Sequence, residues 1–198
     1  VKKFLALILV VAIAVTGCSK VDSAATIGDE NISVSELQSQ VDLILKERDG
    51  VDTSQMQLEV GEALTRSQLS YMVSNLIIEA LAKDENIEIS NSEVEAYKVE
   101  IYNNIGGEAN LPNVLVSAAI PSNSVDEVLR RDLILRKISD KQSASGADDS
   151  TINAAIQKLV TDKAKALKVI INPRYGTWDE ANLTVVATEA AGDAVTDK

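Results

Sequence analysis

The sequence predicts a mainly α-helical fold carrying a few short strands. Three observations point there. Ser-x-x-Glu occurs at Ser33/Glu36, Ser90/Glu93 and Ser124/Glu127, each time just ahead of an apolar run with helical spacing. Leu69, Met72, Val73, Leu76, Ile77 and Ala80 fall at i, i+3, i+4, i+7, i+8 and i+11, the stripe of a long helix with one face on a core. β-Branched residues without helical period gather only in short pieces, at Thr26-Ile27 and at Val169-Ile170-Ile171.

In chain order, Ala25 to Ser33 reads as a strand, a turn at Gly28-Asp29, and entry into a helix. Ser33 and Glu36 form the first capping box, with Ile32 and Leu37 at the staple positions; the helix carries Val41, Ile44 and Leu45 and stops near Asp49-Gly50. The long stripe follows. Ser90 and Glu93, stapled by Ile89 and Val94, open a helix with Val94, Tyr97, Ile101 and Ile105 on one face, ended by Gly106-Gly107. Leu111-Pro112 to Ile120-Pro121 is a proline-bounded apolar element of one or two helical turns. Ser124 and Glu127 start the helix of Val128, Leu129, Leu135 and Ile138. Residues 143–149 (SASGADD) are small and turn-prone and read as a loop. Beyond them Ile152, Ala155, Ile156, Leu159 and Val160 share a helical face to about Leu167, then Val169–Ile171 reads as a strand, 172–176 as a turn and Leu183–Val186 as a further strand. Thr188–Lys198 has the composition of a disordered tail.

The chain's first residues carry a different message. Lys2 and Lys3 precede an apolar run from Phe4 to Val15, and Val15-Thr16-Gly17-Cys18 ends it with the only cysteine of the 198 residues. A basic start, an apolar run short of a bilayer's thickness and a small-residue cleavage site make a secretory leader. Ending on cysteine, it resembles the lipobox of bacterial lipoproteins. That resemblance implies cleavage after residue 17 and a fatty-acylated Cys18 as lipid attachment site, followed by a tether over residues 18–23. Two or three acyl chains hold a protein at a membrane where one does not.

Net charge is −11, and −13 without the leader and its two lysines. No basic stripe exists, so nucleic acid is excluded as a partner and anionic headgroups as an attraction. With no histidine in the chain and Cys18 assigned to lipid, His/Cys metal sites and Ser-His-Asp or Cys-His catalysis are excluded. Neither a phosphate-binding loop nor a dinucleotide fingerprint is present. The expectation is a non-enzyme without cofactor or metal, its carboxylates serving as solvated helix faces.

The order of the pieces carries a resemblance. The lipobox, then Ala25-x-Ile27-Gly28-x-x-x-Ile32-Ser33-x-x-Glu36-Leu37, then the long amphipathic helix, then Ile87-x-Ile89-Ser90-x-x-Glu93-Val94 is similar to the N-terminal domain of the SurA and PrsA extracytoplasmic folding factors over about residues 24–142. The resemblance implies a SurA N-terminal-like helical domain over 24–187, with the loop 143–149 where the family inserts a parvulin-type prolyl isomerase domain that this chain lacks. Residues 169–176 are similar to the family's returning segment. Each short strand needs a partner, so the strand at Thr26-Ile27 is expected to pair with that at Val169–Ile171, joining both ends of the domain in one small sheet. For function, the resemblance implies a membrane-anchored extracytoplasmic binder of unfolded or translocated polypeptides, acting without ATP and without isomerase activity. The alternative is a structural lipoprotein that docks one envelope partner. Tyr97, Tyr102, Tyr175 and Trp178 are the candidate aromatic peptide contacts, with core packing as their other reading.

Overall fold

The computed structural model describes residues 22–144 and 146–188. The leader, Cys18 and the tail beyond residue 188 lie outside the described residues.

Strand β1 (Ser23–Ile27) turns at Gly28-Asp29 into β2 (Glu30–Ser33), in register Ile27 opposite Glu30 and Ala25 opposite Ile32. The sequence expectation of a direct entry into a helix is thereby corrected. Pairing decides it, since Asn31 and Ile32 lie opposite Thr26 and Ala25 across the turn, with Ile32 buried. Gly28 takes φ +59°, as primed hairpin turns require, and donates its N–H to the Leu167 carbonyl at 2.7 Å.

Helix α1 (Val34–Arg48) follows at once, capped by Ser33, whose hydroxyl accepts from the Glu36 amide at 3.0 Å. Helix α2 (Gly61–Asp84) is the hub. Leu69, Val73 and Ile77 are fully buried along it, and it packs on α1, on β1, and on α5 (Val125–Ser143), α6 (Asp149–Leu167) and β5 (Thr184–Val186). Helix α3 (Asn91–Asn104) lies on α5, and the short α4 (Leu111–Ala118) lies on α1. Ser90 and Glu93 make the full reciprocal box, with both Ile89 and Val94 buried beside it.

The third expected box does not form. Ser124 closes a 3-10 turn (Ser122–Ser124) with its amide on the Pro121 carbonyl, at φ −100° and ψ 4° instead of the extended conformation that aims a cap at the helix amides. Asp148 caps α6 instead of any serine, accepting from the Thr151 amide at 2.8 Å.

Strand β3 (Ile170–Ile171) joins β1 antiparallel, Thr26 opposite Ile170 and Ala25 opposite Ile171, giving the order β2-β1-β3. The ends of the fold meet as the lone strands demanded. Asn172 extends the join, its amide reaching the Ala24 carbonyl at 2.9 Å and its side-chain amide the Ser23 carbonyl at 2.8 Å. A strand that the sequence reading missed, β4 (Thr177–Asp179), carries Trp178 and pairs with β5. Ser70 of α2 holds this hairpin by accepting from the Val185 amide at 2.8 Å. One connected core runs from Ala24 to Val185 through all of these elements except α4 and β4, whose Trp178 packs against its edge.

Candidate functional site

Residues 101–125 contain one charged side chain, Glu108, in a chain where a quarter of residues are charged. That run folds into the end of α3, two left-handed glycines, a 3-10 turn (Glu108–Asn110), α4, and the turn into α5. Pro112 sits in the first turn of α4, where its missing N–H costs nothing, and Ala119 in the left-handed region ends it. Asn110 fastens the glycine bend, its side-chain amide donating to the Ile105 carbonyl at 3.0 Å.

Helix α4 stands apart from the main core. Its inner residues Leu115 and Val116 are buried yet do not belong to the connected cluster. One clasp holds it to α1, where the Ser122 amide donates to both carboxylate oxygens of Glu47 at 3.2 Å. On either side of α4 the packing leaves a concavity. Toward α3 and α5 a groove of about 240 Å³ is walled by Ile101, Ile105, Leu111, Val114, Leu115, Val128 and Leu135. Toward the end of α1 a second hollow of about 380 Å³ shares Leu111 and Leu115. Val114 is 39% exposed on an apolar surface.

The polar groups at the groove edge are already committed. The Tyr97 hydroxyl donates to the Asp132 carboxylate and accepts from Arg136 Nη2 at 2.8 Å, and the Arg136 guanidinium lies 4.3 Å from the centre of the Tyr97 ring. Burial and the Asp132 hydrogen bond push the Tyr97 phenol up to about 12. Arg131 lies over the ring of Tyr71 at 5.3 Å, and burial first, then Glu127, raise that phenol to about 12 as well. The groove offers mainly apolar contact. Among the described residues no group of three or more His, Cys, Asp or Glu is placed to hold a metal ion, and no helix is long and apolar enough to cross a membrane.

The four aromatic candidates are dispersed. Tyr97, 6% exposed, forms part of the groove floor. Tyr175 is half-buried in another hollow, of about 400 Å³, between α1, the start of α2 and Arg174. Tyr102 is half-buried on α3, outside both hollows; Trp178 is half-buried on β4 with its indole N–H unpartnered. Cys18 lies outside the described residues. The aliphatic residues around α4 were not singled out from sequence as a site, although the near absence of charge over 101–125 marks them.

The sequence matches the family model of the SurA-like N-terminal domain over residues 1–139, which spans β1 through most of α5. No curated protein and no solved structure matches it. With a mainly helical domain whose opening hairpin, hub helix and capped α3 all lie inside the matched span, the chain belongs to the SurA-like N-terminal domain family of chaperone-like folding factors.

Proposed function

We propose that the protein is a membrane-anchored extracytoplasmic lipoprotein that binds unfolded or translocated polypeptides, without ATP and without prolyl isomerase activity. Cys18 is its lipid attachment site, 18–23 its tether and 24–187 its single domain. The observation that carries the reading is the apolar groove around α4. A non-catalytic binder needs exposed aliphatic surface presented by a rigid frame, and the hollows on either side of α4, near or below the lower end of the roughly 300–1,000 Å³ usual for small-molecule sites, suit side chains of an extended chain better than a whole cofactor. Few large flexible side chains line it, so contacts are weak and release needs no energy source. The short connection from Ser143 to Asp149 supports the absence of an inserted isomerase domain, and the family's extracytoplasmic setting supports the lipobox reading of Val15–Cys18.

Val114 supplies the test, because it is exposed and its replacement leaves the core intact. Val114→Asp should weaken binding of unfolded clients about tenfold, the loss of roughly 1.5 kcal/mol of apolar contact, while the melting temperature stays within a few degrees. Aggregation assays with several unrelated unfolded proteins read it out. Suppression that is unchanged by Val114→Asp would sink the groove, and a single stoichiometric partner in place of many clients would turn the reading to the docking lipoprotein.

A further inference from the structure

The two hollows beside α4 differ in their electrical surroundings. The groove toward α3 and α5 has the Arg131 guanidinium on its lining, over the Tyr71 ring, beside an Asp132 already paired with Arg136, whereas the hollow toward α1 has the Glu47 carboxylate. At the end of α1 that borders this hollow, residues 46–52 carry three carboxylates, Glu47, Asp49 and Asp52, and two cations, Lys46 and Arg48. Arg48 is engaged inward, its Nη1 donating to the Glu59 carbonyl at 2.9 Å. The hollow is lined on one wall by Glu47, Gly50 and Val51 and on the other by Leu111, Pro112 and Val116. Asp49 and Asp52 flank Gly50 and Val51 in the chain, and both are exposed. Hydrogen bonds from Ser54 hold the Asp52 carboxyl below its usual range, so it stays ionised.

An apolar hollow with the Glu47 carboxylate on its lining and Asp49 and Asp52 exposed beside it in the chain selects for a ligand with both characters. We infer that this hollow receives a lysine or arginine of the client lying next to an apolar residue, so that the protein prefers cationic apolar stretches over acidic ones. The inference rests on the polypeptide-binding reading above and names the substrate class of that site. The stem of a lysine or arginine packs on Leu111, Leu115 and Val116 while its head reaches the carboxylates around residues 47–52, the way long cationic side chains cover apolar surface. The neighbouring client residue enters the second groove across the Leu111–Leu115 ridge. Charge complementarity of this kind sets specificity and encounter rate more than raw affinity.

The test compares three fluorescent peptides sharing one leucine-rich core, flanked by lysine, by serine-glycine or by glutamate, titrated by anisotropy with the full chain in zwitterionic lipid nanodiscs. The lysine peptide should bind about tenfold tighter than the neutral one at low salt, and the glutamate peptide weakest. Raising salt to about 0.5 M should erase most of the difference, because the pairs are surface-exposed. Asp49→Asn/Asp52→Asn, which keeps the side-chain oxygen that accepts from Ser54, should cut lysine-peptide affinity about fivefold and leave the neutral peptide unchanged. Equal binding of all three peptides overturns the inference and leaves the groove reading standing. Binding by none of them overturns the groove reading itself. Concentration-dependent self-association that Asp49→Asn/Asp52→Asn weakens and the lysine peptide leaves unchanged assigns the hollow to a second copy and also overturns the inference.

Discussion

Ser33, Ser90 and Ser124 stand at the same distance from a glutamate and end in three different arrangements. Ser90 makes both halves of the box, Ser33 caps without the return bond while serving as the last residue of β2, and Ser124 is buried in a 3-10 turn with its hydroxyl near Gln40. The motif made the helix starts legible but not the hydrogen bonds, because backbone conformation at the cap depends on what precedes it, a strand, a loop or a tight turn. Glu93 shows how far one box residue can be recruited. It accepts from the Ser90 amide at 2.8 Å and pairs with Lys137 of α5 at 2.5 Å, and these bonds, Lys137 first, lower its carboxyl from 4.5 to about 2. A carboxyl depressed on folding stabilises fully above its unfolded value and ceases to do so as pH falls through the folded one. Thermal melts should therefore lose stability between about pH 4.5 and pH 2, and Glu93→Gln, which keeps the cap and removes the charge, should flatten that part of the curve.

Among elements, α2 was the most legible, because a stripe sustained over several turns admits one reading and Leu69, Val73 and Ile77 sit where the period puts them. Strand β4 was the least. Thr177 to Asp179 is three residues long, with Trp178 alone facing the core, too little pattern for a period of two to register. What fixes that hairpin is a close approach of backbones at Gly176. At φ +134° a side chain there would place its Cβ 2.0 Å from the Val186 carbonyl oxygen. Gly176→Ala should destabilise the protein by about 2 kcal/mol or more, with amide exchange rising first at Val185, whose N–H Ser70 accepts. Helix α4 lies between these extremes. Its prolines announced a short helix, but the hollows beside it are lined also by residues of α1, α3 and α5, a property of several segments that no single window of sequence holds.

At the scale of the molecule, the family match ends at residue 139 while the core does not. Val160, Ala164, Ile171 and Val185 belong to the same buried cluster as Ala24 and Ile27. Each buried Val or Ile contributes about 1.5–3 kcal/mol, so together they rival the roughly 5–15 kcal/mol that keeps a domain folded. A chain ended after residue 139 should show no cooperative melt by circular dichroism, whereas one ended after Thr188 should melt like the full chain. That the ends pair was legible from the need of two short strands for partners; that Asn172 then reaches Ser23 across a separation of 149 residues was not. The central position of β1 also sets a timetable. A polypeptide delivered N-terminus first, by ribosome or by translocon, can close the β1–β2 hairpin early but leaves the other edge of β1 open until β3 arrives, and contacts so distant in sequence form late. An interrupted copy would keep that edge of β1 unpaired, an open template for mispairing and a target for proteases.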